Sequence, residues 1–328
     1  GEVCLLADID LTGIEWTPIG SATGAGSGAP TYEFVNAFTG KFNGKGHSIT
    51  GISWTCDMSK NNVYGLFGAA DGAKISNLII GAEGDAITLT GTPDITPSVA
   101  GVVGYAENTT IANVTNNVSI ILEGECPQAM PTSLAGIVGS GFNVTLGGKS
   151  KDNAVVNNGD ILVKSKVANA QAGGTGLQVA GIMAYVKQGT GSQFLNCTNN
   201  AHVTGPNGRG GGIIATIYGT EKAGNKVTIS KCVNNGLIED NYLDHEGYSN
   251  AKRMGGIIGG SEAANVSVES CTNNGNVFSH TGCRAGGFVG HFKGGIIAGC
   301  ANTGIILSKI TPQAEDHSGG DGPGWAAG

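Results

Sequence analysis

Cys271-Thr272-Asn273-Asn274-Gly275-Asn276-Val277, followed after a short gap by Gly286-Gly287-Phe288-Val289-Gly290, decides the fold, because both halves recur along most of the chain. The glycine half stands at Gly65-Leu66-Phe67-Gly68, Gly101-Val102-Val103-Gly104, Gly136-Ile137-Val138-Gly139, Gly181-Ile182-Met183-Ala184, Gly212-Ile213-Ile214-Ala215, Gly256-Ile257-Ile258-Gly259 and Gly287-Phe288-Val289-Gly290. Copies spaced by about 31 to 45 residues mark stacked repeats. The other half is an aliphatic or Phe, two residues, a small apolar residue, one residue, then Asn. It reads Ile111…Val114…Asn116, Phe194…Cys197…Asn199, Ile229…Cys232…Asn234, Val268…Cys271…Asn273 and Ile297…Cys300…Asn302, with a looser copy at Val155…Asn157. Ile75…Leu78 keeps the apolar pair and loses the Asn.

Each repeat is therefore two or three short strands joined by turns, and no 3.6-residue period competes with them. Short repeating strands without helices fit the coils of a solenoid, each pairing with the next about 4.8 Å away. The expected fold is all-β: a right-handed parallel β-helix of about seven to nine coils with an N-terminal cap. Residues 1–60 are read as that cap and first coil, 61–308 as the repeats, and 309–328 as a tail that caps the other end or hangs free. Gly20 to Pro30 reads as a flexible loop. Loops of differing length, 140–153, 186–193, 218–228 and 239–252, are expected to bulge from one corner.

Composition agrees. Charged residues are 13% and apolar residues 40%, with 58 glycines, which suits strands and tight turns rather than a disordered chain. A net charge of −7 argues against nucleic acid as a partner. No apolar run approaches the roughly 20 residues of a spanning helix, so no membrane span is expected. Gly1 runs straight into a structured-looking segment with no export signal, which suggests a trimmed form of an exported protein with Gly1 a tag remnant.

Cys197, Cys232, Cys271 and Cys300 share one repeat column with Leu78, Val114 and Val155, so they are read as a stacked ladder of small buried residues. Cys4, Cys56, Cys126 and Cys283 lie outside it, and one pair among them could be bridged. Asn199, Asn234, Asn273 and Asn302, with Asn116 and Asn157, form a second column, read as an amide ladder at a corner with left-handed turn geometry.

Gly65-Leu66-Phe67-Gly68 with Ile75-Ser76-Asn77-Leu78 resembles the GLUG motif of repeat proteins on bacterial surfaces. Trp16-Thr17-Pro18-Ile19-Gly20 and Phe42-Asn43-Gly44-Lys45-Gly46-His47 are similar to what precedes the first such repeat. The resemblance covers roughly residues 5–306 and implies an exported, adhesin-like protein at the cell surface. Some such repeats accompany IgA-cleaving metallopeptidases. Here the nearest string, His245-Glu246-Gly247-Tyr248-Ser249, has Ser where a zinc protease needs its second His. Asn143 to Ser150 ends like a phosphate loop but lacks the first Gly.

The chain has three arginines, and all three stand three residues before a repeat glycine: Arg209, Arg253 and Arg284. The same place earlier holds Asn62, Ser98, Ser133 and Gln178, so the column reads as polar throughout and outward-facing. Stacked guanidiniums repel unless an anion lies among them. Two partners stay open: the acidic insertion Glu239 to Glu246, and an external acidic or sulfated glycan. Asp240, Asp244 and His245 of that insertion join the arginines as candidate ligand-binding residues. Glu239, Asp240, Asp244 and Glu246 could also hold Ca²⁺, with Lys252 or Arg253 nearby as in a polysaccharide lyase. The leading expectation is non-catalytic binding of an extracellular glycan or host surface protein along the solenoid face. A polysaccharide lyase or hydrolase and a passive spacer are the alternatives.

Overall fold

The structure, a computed structural model, describes residues 1–24, 31–60, 62–125, 131–165, 176–187, 191–205, 208–219, 226–240, 252–280, 284–308 and 326–327. Among them the regular elements are strands, with the single 3-10 turn Lys151–Asn153 as the exception. Strands pair in parallel in four large sheets; the hairpin Ser21–Gly24 with Tyr32–Asn36 is antiparallel. We call the 16-stranded sheet sheet 1, the eight-stranded sheet that ends on Ile306–Ser308 sheet 2, the one that holds Arg284–Gly286 sheet 3, and the seven-stranded one sheet 4.

One circuit shows how they connect. Val266–Glu269 and Thr272–Asn273 lie in sheet 1, Val277–Ser279 in sheet 2, Arg284–Gly286 in sheet 3 and Val289–Phe292 in sheet 4. Gly295–Ala298 then returns to sheet 1 and pairs in parallel with Val266–Glu269, Val268 opposite Ile297. Each sequence repeat is thus one turn of an all-β solenoid. Side chains alternate as a half-buried strand requires: Val227 and Ile229 are buried, Thr228 and Ser230 half-buried. The inward residues of all four sheets form one continuous apolar core. Each fully buried Val, Leu or Ile there contributes about 1.5–3 kcal/mol.

The three-residue spacing of the apolar pair has a backbone cause. In an unbroken strand residues i and i+3 point to opposite faces. Sheet 1 is bent by a residue in left-handed conformation, at Asn77, Asn113, Asn196, Lys231 and Ser270, with φ between 52° and 55°. That corner resets the alternation, so Ile229 and Cys232 both face inward. The left-handed geometry therefore belongs to this column and not to the buried asparagines, which lie in strands. Gly299, φ 61°, makes the same corner in the last circuit, and Asn supplies three of the six because it tolerates this region better than most residues.

Connections vary at more than one corner. Segments 188–192 and 219–226 join sheet 4 to sheet 1, 240–252 joins sheet 2 to sheet 3, and 148–154 interrupts sheet 1. Parallel pairing fixes the register of strands, and chain can be inserted between any two of them without disturbing it. Ser21–Gly24, expected within a loop, is a strand; 25–30 lies outside the described residues. At the far end Ile297, one register beyond the fully buried Val268, is 42% exposed, and Ala326–Ala327 adds a last strand to sheet 3. No helix among the described residues is long and apolar enough to cross a membrane.

Candidate functional site

Sheets 3 and 4 are joined within each repeat by only two residues, such as Gly256-Ile257 between Arg253–Gly255 and Ile258–Ser261. The chain doubles back so tightly that a Cβ on Gly290 would lie 2.6 Å from the Met254 carbonyl oxygen. This close approach is why the fourth motif position keeps to the smallest residues, Gly at most copies and Ala at Ala184 and Ala215. Two register columns meet in the resulting cleft. Sheet 3 contributes Val63, Ser98, Ser133, Gln178, Arg209, Arg253 and Arg284. Sheet 4 contributes Ala69, Tyr105, Ser140, Tyr185, Thr216, Gly260 and His291. Near the N-terminus the hairpin covers the cleft: the Tyr32 ring lies 4.5 Å from that of Tyr105, and its hydroxyl donates to the Pro97 carbonyl at 3.3 Å.

Further along, the cleft becomes charged. Arg209 and Arg253, register partners on adjacent strands, run their side chains over Gly260. A Cβ there would lie 3.0 Å from Arg253 Cδ and 3.6 Å from Arg209 Cδ. Both guanidiniums reach one oxygen of Glu262. Arg209 Nη2 donates to Oε1 at 3.2 Å, and Arg253 Nη1 donates to the same atom. His291 Nε2 lies 3.6 Å from Oε2. Arg284 Nη1 meets His291 Nδ1 at 3.1 Å. Arginine can only donate, so Nδ1 accepts and the imidazole proton sits on Nε2, facing Glu262. Burial and then the Arg253 charge hold His291 below its ordinary pKa, which favours that neutral form.

Burial and then the neighbouring Arg253 charge lower Arg209 to about 10. Burial works to raise the Glu262 carboxyl, but the Arg253 hydrogen bond and both arginine charges hold it below its usual range. The Arg209 side chain is 6% exposed and that of Arg253 11%. Among the described residues Arg209 Nε and Nη1, Arg253 Nε and the buried Thr216 hydroxyl have no hydrogen-bond partner.

These facts correct the sequence reading of the column. It does not face outward: Ser98, Ser133, Gln178 and Arg209 are buried, because sheet 4 folds back against it. Nor is it polar throughout, since register places Val63 rather than Asn62 in the first repeat. Among the described residues the carboxylate that Arg209 and Arg253 reach is Glu262, beyond the elbow. Glycine spacing alone cannot show that a residue nine positions past Arg253 returns to its side. The available signal was Gly260, a glycine outside the repeated motif.

The described residues of the insertion, Glu239 and Asp240, have contacts in sheet 2. Glu239 accepts from His202 Nε2 at 2.7 Å through one oxygen and meets His280 Nε2 at 2.9 Å through the other, linking three successive circuits of sheet 2. Asp240 accepts from the Ser279 hydroxyl at 3.2 Å and from the His280 backbone N–H. Asp244, His245 and Glu246 lie outside the described residues. Among the described residues no group of three or more His, Cys, Asp or Glu is placed to hold a metal ion.

The ladder residues lie in the interior. Asn116, Asn157, Asn199, Asn234 and Asn273 each donate to the next amide oxygen at 2.8 to 3.1 Å, the run ending on Asn302, and these five are fully buried. Cys197, Cys232 and Cys271 are buried free thiols, with Cys300 half-buried behind them. Cys4 is half-buried and Cys56 buried, while Cys126 and Cys283 lie outside the described residues.

No family model matches this chain, and no curated protein matches it. A crystal structure of a "putative immunoglobulin A1 protease" from Bacteroides ovatus is similar to it at a TM-score of 0.45 and 18% identity, over 100% of this chain and 77% of that one. Likeness at that level carries no argument about activity.

Proposed function

We propose that the protein is an exported, adhesin-like surface protein of the GLUG-repeat kind. It would be a right-handed parallel β-helix of about seven to nine coils, capped by residues 1–60, that binds a glycan or host surface protein without catalysis. The observation that carries this reading is the outer face of sheet 1. Thr110, Thr145, Gln193 and Thr228 follow one another in one register column, and Thr115, Val156, Thr198, Val233 and Thr272 in another. Asn117, Asn158, Asn200, Asn235 and Asn274 line the rim as a second amide ladder, each of the last four donating to the one before at 2.8 Å. Hydroxyls and amides recurring along strands about 4.8 Å apart, with Val156 and Val233 between the threonines of the second column, offer a hydroxyl-rich polymer many weak contacts.

The arginine column is not the open charged stripe that such a protein could have used, since Arg209 and Arg253 bond Glu262. In this reading contact along sheet 1 supplies the binding. The test is a screen against neutral and acidic glycans and host surface proteins, repeated with Thr198→Arg/Thr228→Arg on the outer face. Binding lost in the double variant supports the reading. Either no ligand at all, as a passive spacer would give, or binding that the variant leaves intact removes it.

A further inference from the structure

The arginine cleft holds more positive charge than its paired carboxylate neutralises. Arg209 and Arg253 share a single oxygen of Glu262, and His291 on the other oxygen is held toward its neutral form. Arg209 and Arg253 carry ten guanidinium N–H bonds between them on nearly buried side chains, and among the described residues those at Arg209 Nε, Arg209 Nη1 and Arg253 Nε find no acceptor. Leaving charged donors buried without acceptors is costly, and two like charges one strand apart add repulsion. Gly260 makes room for both side chains, and Thr216, its register partner, adds a buried hydroxyl with no partner among the described residues.

The geometry points to a binding site for a small oxyanion, a carboxylate or a sulfate, held between Arg209 and Arg253 beside Glu262. Both groups match the guanidinium fork, accepting two parallel N–H bonds from one arginine. The way in lies at the rim, where the Glu262 and His291 side chains are each 28% exposed, against 6% for Arg209. Glu262 occupies one side of the arginine pair and competes with the incoming anion. The anion is either free in solution or the pendant group of an acidic glycan. The site does not depend on glycan binding by sheet 1, and either can fail while the other stands.

The test is thermal unfolding and titration calorimetry of the full chain with sodium sulfate and sodium acetate, against sodium chloride at matched ionic strength. A sulfated and a uronate oligosaccharide form a second arm. Saturable stabilisation by sulfate or acetate beyond chloride is expected, lost in Arg253→Gln. Glu262→Gln is expected to melt lower without anion, to regain stability in sulfate, and to bind it about tenfold more tightly, because one competing negative charge is gone. An oligosaccharide that saturates where the free anions do not marks a pendant group as the source; free anions that saturate alone mark an ion site. If neither free anions nor oligosaccharides exceed chloride, the donors are met by water and the proposal falls. It falls too if Arg253→Gln retains the effect. Should that variant not fold, Glu262→Gln decides: no sulfate-dependent recovery overturns the site.

Discussion

A Cβ on Gly256 would lie 2.3 Å from Cγ of Asn273, which joins the two halves of the repeat into one device. From Gly101 to Gly287 the first glycine of each motif lies over an amide of the ladder, whereas Gly65 meets the Ala100 carbonyl. The ladder in turn satisfies carbonyls of the turns that follow it: Asn273 also donates to the Gly275 carbonyl at 2.8 Å. Asn234→Ala is expected to destabilise the fold by about 2 kcal/mol, since it strands the Gly236 carbonyl and the Asn199 amide in a dry interior. Gly256→Ala should cost about 3 kcal/mol, because its Cβ would also meet the Gly287 carbonyl oxygen at 2.2 Å and backbone cannot yield cheaply. Urea denaturation of both variants checks this, and a neutral Gly256→Ala would contradict it.

Glu262 compensates two nearly buried guanidiniums. Glu262→Ala in chloride buffer should lose about 3 kcal/mol, because removing one partner of a buried pair leaves uncompensated charge. The double variant Glu262→Ala/Arg253→Met should be more stable than the single one. If both lose the same stability, the ion pairs do not couple the strands.

The His202–Glu239 contact gives stability a direction with pH. The bond to Glu239 raises His202 above its ordinary 6.5, with burial opposing. The bond to His202 holds Glu239 below its ordinary 4.5, again with burial opposing. Asp160 and Asp240 are the other carboxylates at this corner, and Asp160 reinforces the shift of His202. A raised histidine contributes fully below 6.5 and loses its contribution as pH climbs through the folded value. A depressed carboxylate contributes above 4.5 and loses it as pH falls through its folded value. The contact therefore stabilises most between pH 4.5 and 6.5. His202→Gln should flatten the stability difference between pH 5.5 and pH 8, measured by urea denaturation; an unchanged difference would rule the contact out as its source.

The cysteine column should be silent to reagents. Burial pushes the Cys232 thiol well up, and the neighbouring Cys232 raises Cys271. Iodoacetamide at pH 8 should leave Cys197, Cys232 and Cys271 unlabelled in the native protein and label them in guanidinium, read by mass spectrometry. Cys232→Val should change stability by less than about 1.5 kcal/mol, since Val114 and Val155 already fill that column.

The repeat itself was legible because stacking forces it. Side chains one circuit apart meet the same neighbours, so Gly256 and Gly287, or Asn234 and Asn273, answer the same steric demand and recur in the sequence. The inward apolar columns, the parallel strands and the amide ladder follow from that periodicity. The arginine site was half legible: Arg209, Arg253 and Arg284 are visibly aligned, but their surroundings are not. Burial, the shared carboxylate at Glu262 and the unmet donors of Arg209 arise from the angle at which sheet 4 returns against sheet 3. That angle is set by close backbone packing at Gly259 and Gly290, which no one-dimensional spacing encodes. Sequence determines which residues share a column; only the tertiary structure decides which two columns face each other.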